Sequence, residues 1–134
     1  METLIQFKTA KLAQEKGFDT PCENVYVETL EHTLEMGRGG DCTFPAQESR
    51  VLKNGKFDEW DIIHCQAPSQ SVLADWLRKE NNIDVFIDSV GGKNGYFYVL
   101  QDILTGNQIK TGDKYNTFEN SFEEGLFEAL SLVV

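Results

Sequence analysis

Hydrophobic positions recur at helical spacing in three parts of the chain. Near the start, Leu4, Phe7, Leu12 and Ala13 form a partial apolar stripe. A helix beginning at Glu2 or Thr3 accounts for it. Lys8, Lys11 and Lys16 then lie towards its C-terminal half, where the helix dipole favours positive charge. Gly17 supplies the left-handed stop, Phe18 folds back onto the helix, and Pro21 prevents continuation. In the middle of the chain, Val72, Leu73, Trp76 and Leu77 share one helical face, with Asp75, Arg78 and Lys79 away from it. Pro68 stands at that helix's entrance, Ser69 is its N-cap, and Asn81-Asn82 ends it. At the C-terminal end, Phe122, Leu126, Ala129, Leu130 and Val133 line a third face. Ser121 and Glu124 have the spacing of a capping box. Gly125 inside this helix costs about 1 kcal/mol relative to alanine, which a close approach of the sheet backbone explains.

Between the helices the pattern turns to alternation. Val25 and Val27 alternate with Tyr26 and Glu28, as in a strand. Leu30, Leu34 and Met36 continue that alternation against Glu31, Thr33 and Glu35, although Val27, Leu30 and Leu34 also fit a helix face. Strand is the preferred reading because Val and Thr are frequent here. Gly37, Gly39 and Gly40 mark a turn, and 37–56 reads as an irregular excursion with a tight turn at Asn54-Gly55. Phe57 to Cys65, with Trp60, Ile62 and Ile63, reads as a strand. A hairpin follows the middle helix. Ile83, Val85 and Ile87 alternate with Asp84, Phe86 and Asp88, the loop runs from Gly91 to Gly95, and Tyr96 to Gln101 returns. Further strands are expected at Gln108 to Lys110 and at Lys114 to Phe118, after turns at Thr105-Gly106-Asn107 and Gly112-Asp113. The sum is one α+β domain over residues 1–134, a mostly antiparallel sheet packed by about three helices.

The composition suits a domain with one core. The 134 residues are 40% hydrophobic and 11% aromatic, too apolar for a disordered chain. The balance of 22 acidic against 12 basic residues, net −10, changes the list of partners. Binding to DNA or RNA requires clustered Lys and Arg, and here they are scattered, so no direct nucleic-acid contact is expected. The acids are scattered as well, which reads as a solvated surface. The sharper alternative is an acidic decoy of nucleic-acid-binding proteins, with carboxylates spaced like phosphates. No stretch has the apolar length of a signal peptide or a membrane span, so a cytoplasmic protein without membrane contact is expected. An odd set of three cysteines, Cys22, Cys42 and Cys65, points to free thiols in a reducing compartment.

Candidate chemistry is sparse. Cys65 follows His64 directly, but neighbours in a strand point to opposite faces, so His64 is a poor base for it. A small hydrolase using a thiol or carboxylates is the alternative to a binding protein. It requires a pocket where Cys65 or Cys42 meets a histidine such as His32. Cys22, His32, Cys42, His64 and Cys65 lack the paired spacing of a zinc site. Glu28, Glu31, Glu35, Asp58, Glu59 and Asp61 read as solubilising charge. The Gly91 to Gly95 loop joins two strands and lacks the helix that a phosphate loop needs. No catalytic residue, metal ligand set or cofactor is expected.

The hairpin offers the most informative surface. If Ile83, Val85 and Ile87 face the core, Asp84, Phe86 and Asp88 face the other way, joined by Tyr96 and Tyr98, or by Phe97. An aromatic surface flanked by acids suits a protein partner with basic or apolar anchors. The competing arrangement has the N-terminal half covering this face. Three stretches carry a resemblance: Leu12 to Asp19; Ala67-Pro68-Ser69-Gln70 with Leu73 and Trp76-Leu77-Arg78; and Ser121 to Leu126 with Glu128-Ala129-Leu130. They resemble a group of small uncharacterised proteins of phages and mobile elements of gut bacteria. The resemblance covers the chain up to about Cys22 and most of it after Gln66, and is weak from Val25 to Cys65. It implies a setting, a cytoplasmic accessory protein of such an element, and no activity. The leading expectation is a non-catalytic protein-interaction module.

Overall fold

The computed structural model describes residues 3–29, 50–55, 61–91 and 95–134. In chain order it has α1 (Phe7–Glu15), β1 (Asn24–Thr29), β2 (Arg50–Lys53), β3 (Asp61–Gln66), α2 (Gln70–Asn81), β4 (Ile83–Ser89), β5 (Tyr96–Asp102), β6 (Gln108–Thr111) and α3 (Phe118–Leu132). The strands form two antiparallel three-stranded sheets, ordered β2-β1-β3 and β4-β5-β6, with helices packed on them: an α+β fold. Expectations for Leu30, Leu34, Met36, the glycines at 37–40, and Phe57 to Trp60 lie outside the described residues.

One apolar cluster joins the parts. Ile5, Ala13, Tyr26 and Cys65 come from the N-terminal segment, α1 and the first sheet, Leu73 and Leu77 from α2, Val85, Tyr98 and Leu100 from the second sheet, and Leu126 and Leu130 from α3. Gly17 (φ +103°) ends α1, and the Phe18 N–H returns to the Ala13 carbonyl at 2.9 Å. Phe18 then meets Trp76 of α2 edge to face, ring centres 5.4 Å apart. Ser69 caps α2 by accepting from the Val72 N–H. Asn82, in the left-handed region, closes it.

Five local expectations are corrected. The first helix begins at Phe7, because Leu4 and Ile5 are extended and pair with the entrance of α2. The Ile5 N–H donates to the Pro68 carbonyl (3.0 Å), and the Gln70 N–H to the Thr3 carbonyl (2.8 Å). Part of the 37–56 excursion is a strand, β2, paired in register with β1 from Asn24↔Lys53 to Val27↔Arg50. Lys114 to Phe118 forms no strand beyond a single bridge, Tyr115↔Tyr96, and Phe118 already belongs to α3. Thr117 caps α3, accepting from the Asn120 N–H; Ser121 lies one turn in, fully buried, so the Ser121–Glu124 capping box does not form. Val72 leaves the expected apolar face of α2 and is 42% exposed.

Gly125 allows α3 to lie close to the second sheet, against side chains and not backbone. A Cβ there would stand 2.8 Å from Tyr98 Cβ and 3.0 Å from Val85 Cγ1. A buried carboxylate ties the layers together. Glu123 of α3, 4% exposed, accepts from the Gln6 N–H at the start of α1 (2.9 Å) and from Gln70 Nε2 of α2 (3.3 Å). Burying a charge is costly unless it is hydrogen-bonded. Here it also sits at a helix N-terminus, where the dipole favours an anion.

Candidate interaction surface

Register decides which hairpin residues share a face. β4 and β5 pair without a shift: Asp84↔Gln101, Phe86↔Val99, Ile87↔Tyr98, Asp88↔Phe97 and Ser89↔Tyr96. Residues directly opposite point to the same side of an antiparallel sheet. Val85, Ile87, Tyr98 and Leu100 therefore face α3. Asp84, Phe86, Asp88, Phe97, Val99 and Gln101 form the outer face. Of the five residues that the sequence singles out, Asp84, Phe86 and Asp88 lie together on that outer face, and Tyr96 and Tyr98 do not. Phe97 takes the place beside Phe86.

Tyr98 is 4% exposed, under α3, and burial is the first cause that raises its phenol pKa. Tyr96 lies on the helix side near the hairpin end. It meets Phe118 edge to face at 6.2 Å, and Phe118 meets Phe122 at 5.6 Å. The sequence pattern does not disclose this aromatic chain, because it places Phe118 in a strand. On the outer face, Val99 is buried at the centre, Phe97 is half-buried and Phe86 is 40% exposed. Asp84 and Asp88 flank Phe86 at two-residue spacing along β4. Arg78 of α2 reaches Asp84 at 3.7 Å, while its short contact is with Asp75 at 2.6 Å. Ile109, at the register shift of β6, is exposed as well.

The thiols have a different environment. Cys22 borders a cleft of about 460 Å³ lined by Leu4, Pro21, Ser69 and Val72. Its Sγ donates to the Thr20 carbonyl at 3.3 Å, and burial pushes its pKa up. Cys65 is buried beside a second cleft with Phe18 and Gln66, and burial pushes it up to about 11. A nucleophilic thiol needs the opposite shift, a pKa lowered by a base or a cation. His32 and Cys42 lie outside the described residues, as does the side chain of His64, and so do Glu31, Glu35, Asp58 and Glu59. Among the described residues, no group of three His, Cys, Asp or Glu side chains could hold a metal ion, and no helix is long and apolar enough to cross a membrane.

Comparison with known proteins adds no relative. No family model, curated protein or solved structure matches the chain.

Proposed function

We propose that this protein is a non-catalytic interaction module that docks a partner protein on the outer face of the β4-β5-β6 sheet. One observation carries the reading: Phe86 stands 40% exposed between Asp84 and Asp88, beside Phe97 and the buried Val99. An apolar centre with a charged margin is the usual anatomy of a docking patch. The acidic margin, on a chain of net charge −10, suits a partner with basic residues around an apolar anchor. The resemblance to proteins of phages and mobile elements supplies the proposed setting, an accessory protein in the cytoplasm.

The test is capture from a host lysate by wild type and by a Phe86→Thr/Phe97→Thr variant, followed by titration of the purified partner. Threonine keeps strand propensity, so the variant retains its far-UV circular dichroism. Losing an aromatic anchor of about 2 kcal/mol weakens binding about thirtyfold. A purified partner that binds both forms equally, or no partner that binds the folded wild type directly, removes the reading.

A further inference from the structure

We infer that the cleft between α2 and the turn after α1 binds a quaternary ammonium group, with Trp76 and Phe18 as its aromatic walls and Glu80 as its counter-charge. The inference goes beyond the docking reading, and none of its residues belongs to the β4-β5-β6 sheet.

Val72, Asp75, Trp76, Lys79 and Glu80 recur at helical spacing, so they share one stripe of α2, while Leu73, Ala74 and Leu77 go to the core. The turn that ends α1 comes back against this stripe. Its Gly17, at φ +103°, lets the chain reverse, and Phe18 then meets Trp76 with ring centres 5.4 Å apart and planes at 82°. Two rings near a right angle form a corner. That corner lines a cleft of about 210 Å³, together with Asp75, Lys79 and Glu80. At about 30 Å³ of liquid volume per water, the cleft has room for about seven waters, ample for one nitrogen with its methyl groups. Phe18 is buried and Trp76 half-buried, so the indole is the ring open to a ligand.

The charges select the ligand. An aromatic face attracts a cation through its quadrupole, and the indole does so most strongly. Long helical side chains lean over the preceding turn, which sets Lys79 towards Asp75 and Glu80 towards Trp76. The first pair is in contact: Lys79 Nζ lies 3.0 Å from Asp75 Oδ2, and Arg78 lies 2.6 Å from Asp75 Oδ1. The helix's own cations thus neutralise Asp75. The negative charge of the cleft rests on Glu80, with Asp19 next to Phe18 at its margin, both exposed. A primary ammonium is strongly hydrated and donates hydrogen bonds, so a carboxylate such as Asp75 suits it better than a ring. A quaternary ammonium has no N–H to satisfy, and it gains most where an aromatic corner meets a carboxylate. An anion would meet Glu80 on a chain of net charge −10. The recognised chemistry is a trimethylammonium group, free as in choline or carried on a lysine side chain.

The probe is choline chloride, titrated into the whole chain at ionic strength held constant with sodium chloride. The readout is the indole N–H signal of Trp76 in proton–nitrogen correlation spectra, told from that of Trp60 by a Trp76→Phe variant. A saturating shift with a dissociation constant of about 1 mM is expected. The neutral isostere 3,3-dimethylbutan-1-ol should bind about tenfold more weakly, because it loses both the ring and the carboxylate attraction. Two exposed substitutions that leave the core untouched should move the affinity in opposite directions. Glu80→Gln should weaken choline binding about threefold, and Lys79→Gln, which removes the competing cation, should strengthen it about threefold. Capped trimethyl-lysine, compared with choline, assigns the site to a modified side chain if it binds more tightly and to a free cation if it binds more weakly. Three results overturn the inference: no movement of the Trp76 signal up to about 10 mM choline, equal binding of the neutral isostere, or an affinity that neither Glu80→Gln nor Lys79→Gln changes.

Discussion

Raising the pH should unfold this protein through groups that have no part in its surface chemistry. The Tyr26 hydroxyl donates to the Ile5 carbonyl at 2.6 Å, inside the junction of β1 with the N-terminal segment. Burial, reinforced by the Glu123 carboxylate, pushes Tyr26 from an ordinary 10 to about 12. Burial likewise pushes Cys65 from 9 to about 11. Both groups stay neutral in the folded chain while they ionise in the unfolded one. Over that interval the unfolded state binds fewer protons, so stability falls as pH rises. The contribution of Cys65 is complete below pH 9 and is lost through pH 11; that of Tyr26 is complete below pH 10 and is lost through pH 12. At about 1.4 kcal/mol per unit of separation, Tyr26 has lost about 1 kcal/mol by pH 11 and Cys65 about 2 kcal/mol. Urea unfolding followed by circular dichroism at pH 8 and at pH 11 reads the sum. With a urea slope of about 1–3 kcal/mol/M, the midpoint drops by about 1–3 M. Tyr26→Phe separates the two parts. At pH 8 it should be about 1 kcal/mol less stable than wild type, since a buried hydrogen bond is lost. By pH 11 it has no phenol to ionise there, and the two proteins should converge. Tyr98 and Tyr115 are also raised, first by burial, and add the same decline to both. A constant gap between wild type and Tyr26→Phe from pH 8 to pH 11 would refute the reasoning.

The remaining predictions concern the helices. Thr117→Ala should cost about 1 kcal/mol in urea unfolding, because it removes the cap of α3. Ser121→Ala should be neutral or stabilising by a few tenths of a kcal/mol, since that hydroxyl is buried with no hydrogen-bond partner among the described residues and alanine is the better helix former. Gly125→Ala gains about 1 kcal/mol of helix propensity but drives a Cβ to 2.8 Å from Tyr98 Cβ. Overpacking of about 1–3 kcal/mol leaves a net loss of about 1 kcal/mol, measured as a lower urea midpoint. Glu123→Leu leaves the Gln6 N–H without its acceptor, while Gln70 Nε2 keeps its bond to the Glu119 carbonyl at 2.9 Å, so it should cost about 1–3 kcal/mol, and Glu123→Gln, which keeps an acceptor oxygen, about half as much.

What can be read in the sequence is local. Ser69 is legible as a cap because its bond reaches three residues ahead to Val72, and the apolar face of α2 holds at Leu73, Leu77 and the partly buried Trp76. The departures come from contacts far along the chain. Leu4 has the helical spacing to Phe7, but pairing with the Pro68 to Gln70 segment holds Leu4 and Ile5 extended. β2 is four residues with little apolar signal, and only its ladder to β1 makes it a strand. In α3 two successive cap positions compete, Thr117, which accepts from Asn120, and Ser121 with Glu124 three residues on. The earlier start prevails where it brings Phe118 against Tyr96 and Phe122 and sinks Ser121 into the core.

The candidate surface is half legible for a single physical reason. β4 alternates cleanly, apolar with acidic or exposed positions, so its pattern alone assigns Asp84, Phe86 and Asp88 to one face. β5 does not alternate: Tyr96, Phe97, Tyr98, Val99 and Leu100 are all apolar or aromatic, and a run without a period has no face. Its assignment depends on register, and a one-residue slip exchanges every side chain between core and solvent. Ile87↔Tyr98 settles it, sending Tyr98 under α3 and Phe97 outwards. The same register that corrects Tyr96 and Tyr98 also fixes which backbone groups of β4 turn away from β5. Shifting the ladder by one residue would put Asp84, Phe86 and Asp88 among core positions, where two carboxylates would be buried without partners. The charge pattern of β4 and its register with β5 therefore constrain each other, and the acids hold the sheet in the register that turns Phe86 and Phe97 outwards.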